Sequence, residues 1–433
     1  MATVIIGAGI VGVSTAYYLV ENDATADVHL IETTNTLFAS ASGYAGGFLA
    51  RDWHAPATAS LAALSYDQHA ALAAKYDGSL HWGYATSIAL SYGVPGTADD
   101  DQRWQGARGE DWLRQGTSRS TSAPVDTTPT PDDDDDDDDD DDVKTPSWLH
   151  RRNGDRADVL ADDGTTAQVD PALFCQFLLN KARARGVKLH QPARVTFVER
   201  DAAGQLASVT VEEAGRQITL PCTRLVITAG AWTPRVFAEL FPVEAAKRSL
   251  PVSNYAGHSL VVRSTIRSRI RSTNAAEKKA DRCFAIFAAG GSLKYCPEIF
   301  GRANGTLYVA GLNSSTMPLP ERASDSAPDP TLLDDLKATC RKVIGSDDYE
   351  VLRTGLCHRP ATPWGAPLVL RLLDEQLAVA SKEKSLTGGT DGVFIAAGHG
   401  PWGISMGPGT GMVLAELIQG RQLSADVSQL GFH

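Results

Sequence analysis

The chain has 433 residues, 43% hydrophobic and 21% charged, the balance of a globular protein with a sizeable core; wholesale disorder and collagen-like repeats are excluded. Of the formal charge of −12, eleven charges stand in one aspartate run at 132–142, so the remainder carries only −1. No basic stripe with interleaved aromatics marks a nucleic-acid partner, and no apolar window reaches the roughly 18 residues of a membrane helix, so no transmembrane segment is expected.

From Val4 the chain is continuously apolar, as a parallel strand over 3–6 covered on both faces should be, and it runs into a glycine turn. The same stretch lacks the basic leader and cleavage-like end of a signal peptide, so cytoplasm is the expected compartment. A helix over about 10–20 and a strand over 28–32 follow, then a Ser/Gly loop at 39–47, a helix at 57–76 and a strand within 82–92. From 115 to 146 the text turns to Ser, Thr, Pro and Asp. Like charges there repel and bury nothing, so a disordered acidic surface insertion is predicted.

Beyond it, a helix is predicted at 171–185 and strands at 195–199, 208–212 and 225–228, the first two joined as a hairpin around 201–204. Alternating β patterns cover 250–263 and 283–311, with a turn at 303–305. A helix at about 330–343, a strand at 393–397, a second glycine turn and a helix from about 407 to 419 complete the chain. Six cysteines are scattered without paired spacing, so neither a disulfide framework nor a zinc site is indicated, and no metal is expected.

Gly7-Ala8-Gly9-Ile10-Val11-Gly12 sits between a predicted strand and a predicted helix, with Glu32 at the end of the next strand. Gly7 permits the tight turn, Gly9 lets backbone approach a pyrophosphate, Gly12 lets helix and strand pack closely, and the helix N-terminus offers amides to the anion. Glu32 is suited to accept from a ribose hydroxyl. FAD and NAD share this half-motif. An apolar strand ending in Thr228-Ala229-Gly230 before Trp232, and the run GVFIAAGHGPWGISMGPGTG at 392–411, select between them.

Together these segments resemble the flavoprotein superfamily of D-amino-acid oxidase, glycine oxidase and sarcosine oxidase. The resemblance covers nearly the whole chain apart from the acidic insertion. It is nearest to a fungal group of FAD-dependent oxidoreductases, through residues 297–300, 304–311 and 399–416. It implies an α/β fold: a discontinuous Rossmann-like FAD-binding domain (1–80, 155–240 and 355–433) with a β-rich substrate domain (81–114 and 241–354).

The resemblance also implies the site. Ser42, Gly43 and Tyr44 fall where the family's loop after the second strand touches FAD, and Val195 where backbone meets the adenine. Ala229, Gly230, Trp232, Gly400, Gly403 and Ile404 would border the cofactor, with the last helix's N-terminus facing the charge of a reduced flavin. Arg359 matches the arginine that holds a substrate carboxylate through its planar fork. Cys357 stands where some members bond the flavin covalently, and His399 where the family often places a residue beside the flavin ring. Glu298 and His258 are weaker candidates, and Pro401 replaces a second carboxylate-binding arginine of glycine oxidase. The implied reaction is oxidation of a C–N bond in a small amine or amino acid by hydride transfer to flavin N5, with O2 or another electron acceptor. The alternative is a flavin-containing adaptor in membrane traffic with vestigial catalysis.

Overall fold

The computed structural model describes residues 2–94, 145–242, 249–264, 283–290, 293–373 and 390–432. The aspartate run, the predicted insertion up to residue 144 and the 95–114 part of the predicted substrate domain lie outside the described residues.

Among the described residues the strands form three sheets. In the first, Ala2–Ile6 lies between Asp27–Ile31 and Arg224–Ile227, all parallel, with Lys188–His190 beyond the former and Gly392–Ala397 beyond the latter. Leu368–Arg371 closes the sheet antiparallel to Gly392–Ala397. Its central strands are buried on both faces, which explains their largely apolar text. Helices Ile10–Asn22, Pro56–Tyr76, Pro171–Ala184 and Gly403–Gln419 form the core with one face. The other face packs against helix Thr233–Leu240 and a three-stranded antiparallel sheet (Ala193–Arg200, Leu206–Glu213 and Arg216–Pro221).

The third sheet runs in the order Tyr349–Ala361, Ser253–Ser264, Thr306–Ser314, Glu298–Gly301, Cys283–Ala289, Ala85–Gly93, Thr166–Gln168, Phe48–Ala50, with Arg156–Ala161 also paired to Ala85–Gly93. Strand membership therefore does not follow the boundaries expected at 80, 155 and 355. Phe48–Ala50, Arg156–Ala161, Thr166–Gln168 and most of Tyr349–Ala361 belong to this sheet, because short or half-exposed strands carry little pattern of their own.

The last helix begins at Gly403, a turn earlier than the sequence suggested, and it contains Pro408. Three glycines and a proline within 403–409 read as a turn because each is a poor helix former. Here they serve packing. A Cβ on Gly407 would stand 2.5 Å from Ile10 Cγ1, and one on Gly411 2.4 Å from Ser14 Cβ. Farther along, Asn22 Nδ2 donates to Gln419 Oε1 at 3.1 Å. Each of these pairs is offset by 397 residues, so the two helices lie parallel and in register, N-terminus beside N-terminus. Gly411→Val should force them apart and lower stability by about 1–3 kcal/mol, the usual range for overpacking, read from urea unfolding midpoints.

Candidate active site

Both N-termini of that helix pair open into one cavity of about 690 Å³, in the range of roughly 300–1,000 Å³ that holds cofactor-sized ligands. The cavity lies outside the carboxyl ends of the parallel strands, with Ile6, Ile31, Thr228 and Ala397 in its wall. From the strand before Glu32 to the strand before His399 it crosses three strand spacings, about 14 Å at 4.7–4.9 Å each.

On the Glu32 side, Gly7 turns with φ of 102°, and a Cβ there would stand 2.7 Å from the Thr228 carbonyl oxygen. Only glycine combines that backbone with that contact. The amide of Ala8 donates to Glu32 Oε2 at 3.2 Å, while Thr34 donates to Oε1 from its amide and its hydroxyl. The carboxylate is thus fixed beside the glycine loop. Gly9, Val11, Val195, Ala229 and Gly230 line the wall as well, and the amide of Ile10 donates to Ser42 Oγ at 2.9 Å.

On the other side, helix Gly403–Gln419 begins without a side-chain cap and without an acidic residue in its first turn, and Gly400, Pro401, Gly403 and Ile404 line the cavity. Strand Tyr349–Ala361 contributes Cys357, His358 and Arg359. Arg359 is buried and donates from Nη1 to Asn313 Oδ1 at 2.8 Å. Burial by itself would lower its pKa, but Cys357, Tyr308 and Glu298 nearby outweigh that and hold it above its ordinary value. The guanidinium lies over Gly257, the cross-strand partner of Cys357, where a Cβ would come within 2.1 Å of Nη1. Cys357 itself is 1% exposed.

His399 is buried in the same wall, and its Nε2 meets Thr410 Oγ1 at 3.0 Å. That hydroxyl donates its proton to the Met406 carbonyl, so the imidazole must be the donor to threonine. Gly12 lies behind the wall, its missing side chain leaving room for the Gly7 carbonyl. Gly43 and Tyr44 also lie off it: Gly43 packs on Phe38, and Tyr44 packs on Gly355 beneath the Arg353 guanidinium, 5.3 Å from its ring centre. Glu298 is buried outside the wall, and His258 Nε2 accepts from the amide of Asp329 at the start of helix Pro330–Ile344.

Sequence reasoning passed over three contributors. Ser40 Oγ accepts from the His358 amide at 3.2 Å. Gly257 makes room for Arg359 across two strands, and only the strand register reveals that. A strap carrying Glu321, Arg322, Ala323 and Ser324 crosses from the third sheet to wall the cavity, held where Trp232 Nε1 donates to Pro320 O at 2.9 Å and Arg235 Nη1 to the carbonyls of Pro320 and Glu321. Its sequence shows only proline-rich loop text.

A nucleotide-type sheet joined to a β-rich lobe, with a glycine cradle, a ribose-ready carboxylate and two helix N-termini on one cavity, defines a two-lobed flavin-binding oxidoreductase. The chain belongs to the FAD dependent oxidoreductase family DAO, whose profile matches residues 2–417. It is 26% identical to "Putative oxidoreductase C1F5.03c" of Schizosaccharomyces pombe, over 99% of this chain and 96% of that one. Among solved structures it resembles glycine oxidase from Geobacillus kaustophilus, with a TM-score of 0.67 at 17% identity over 100% and 98% of the two chains. Iminodiacetate oxidase from Chelativorans sp. BNC1 gives 0.63 at 19%, covering 99% and 98%. Among the described residues no helix is long and apolar enough to cross a membrane.

The close approach that Gly7 and Gly9 allow by lacking side chains, the fixed Glu32 carboxylate and the uncapped helix end fit FAD, the family's cofactor. Removing the acceptor by Glu32→Ala should weaken FAD binding at least tenfold, consistent with a charge-assisted hydrogen bond and measurable by flavin fluorescence titration. Burial pushes His54, His69 and His399 down to about 4. The unfolded chain takes up these protons as pH falls through about 6.5 and the folded chain does so only near 4, so their contribution to stability is complete above 6.5 and is lost between 6.5 and 4. Each should account for up to about 1.4 kcal/mol per pH unit within that window; a urea midpoint unchanged from pH 7.5 to 5 would contradict this.

Proposed function

We propose that this chain oxidises the C–N bond of a small amine or amino acid that carries a carboxylate, and passes the electrons to O2. One observation supports the reading: two helix N-termini and the buried residue Arg359 stand in the wall of one cavity. Each stabilises negative charge, and each serves a different part of the chemistry. The end at Ile10 suits a pyrophosphate. The end at Gly403 suits the charge that a flavin gains on reduction.

Bound FAD supplies the two-electron acceptor for the hydride that leaves the substrate carbon. Arg359 orients the substrate by its carboxylate, and its own bond to Asn313 presets the fork. His399 is neutral at working pH and its N–H is engaged by Thr410, so it anchors the 398–400 turn and does not supply a proton. Glycine oxidase and iminodiacetate oxidase are named for substrates with an amine next to a carboxylate, which supports this substrate class. Pro401, where the resemblance expects a second arginine, leaves Arg359 to hold the carboxylate.

A panel of carboxylate-bearing amines, assayed for peroxide in air and for dye reduction without oxygen, tests the reading. Peroxide with at least one member supports it; dye reduction alone would replace O2 by another acceptor, and silence in both assays would favour the adaptor reading. With an active amine, Arg359→Met should raise KM at least tenfold while FAD affinity stays within about threefold.

A further inference from the structure

Pro408 is the sixth residue of helix Gly403–Gln419. In an unbroken helix, residue 408 would donate its N–H to the carbonyl of Ile404, four residues back. Proline has no N–H, and its ring crowds that carbonyl. The Ile404 oxygen is nonetheless paired: His69 Nε2, on helix Pro56–Tyr76, lies 2.9 Å from it. A carbonyl only accepts, so the imidazole carries its proton on Nε2. Nδ1 is bare and, among the described residues, has no partner. The ring is fully buried against Phe174, centroids 4.7 Å apart, and burial holds it neutral. One turn earlier on its helix, Ser65 Oγ accepts from the Gly409 amide at 2.9 Å, the first N–H after the proline. The neighbouring helix thus stitches both sides of the break, and the turn ahead of it carries cavity-lining Gly403 and Ile404.

We propose that His69 is a positioning residue for the cofactor: its Nε2–H replaces the backbone donor that Pro408 lacks and holds the cavity-facing turn 403–407 in place. His69 does not itself line the cavity, so it acts through that turn. The inference rests on the reading that this helix end meets bound FAD, and not on which amine is oxidised.

The test is a double-mutant cycle on the full-length protein, read by FAD dissociation constant and by flavin reduction potential. His69→Leu removes the donor, so the turn must shift to re-pair its carbonyl, and FAD binding should weaken about tenfold while the potential moves to a more negative value. His69→Gln keeps an N–H and should recover most of the loss. Pro408→Ala restores the backbone donor, so in that background His69→Leu should change affinity by less than about threefold. Equal losses in both backgrounds would overturn the proposal, as would a His69→Leu protein with unchanged affinity and potential. Coupling seen only in the unfolding midpoint, with affinity and potential unmoved, would also overturn it, since His69 would then be structural. Should no amine be turned over while the coupling in affinity and potential persists, the reaction reading fails and the role of His69 stands.

Discussion

The contact on which the site depends is the side-by-side packing of helices Ile10–Asn22 and Gly403–Gln419. Chain positions 397 residues apart meet along it, so the first and last parts of the sequence make one surface. Because Gly407 and Gly411 carry no side chain, the backbones approach closely, and because the helices are parallel their positive ends emerge together. An antiparallel pair would present one positive end and one negative end to the same cavity.

Buried charge supplies the second constraint. Arg302 donates to Asp170 Oδ2 at 2.9 Å and to the Gly46 carbonyl at 3.0 Å, while Arg353 donates to the Gly43 carbonyl at 2.6 Å. Two guanidiniums, one on strand Tyr349–Ala361 and one just past strand Glu298–Gly301, therefore hold the loop that brings Ser40 and Ser42 to the cavity. Removing Asp170 would leave the buried Arg302 charge without its carboxylate in a low-dielectric setting, which is costlier than the pair's own contribution to stability. The histidines obey the opposite rule. His54, His69 and His399 are buried neutral, each offering a single directed N–H to an oxygen acceptor.

Much of the first sheet was legible in the sequence because its strands are short, mostly apolar and, in three of four cases, followed by a glycine turn: residues 3–6, 28–32, 225–228 and 393–397 each fall within about a residue of the strands observed. Glu32 and the glycine cradle were readable because spacing alone joins them. What escaped were features created by register and long-range contact. Gly257 matters only because it lies opposite Cys357, and the strap at 321–324 because it folds onto Trp232 and Arg235. The start of the last helix was misplaced for the same reason: local propensity at Gly403–Gly409 argues for a turn, and the partners that overrule it stand more than three hundred residues away.

The strap has one more consequence. The cavity wall comes from both lobes, and Trp232 and Arg235 grip the strap only through its main-chain oxygens. A ligand lodged there touches both bodies at once, so its occupancy strengthens their junction by RT ln(1 + [L]/Kd). FAD held there would then raise the chain's resistance to unfolding, and with it to proteolysis, as its concentration rises above Kd.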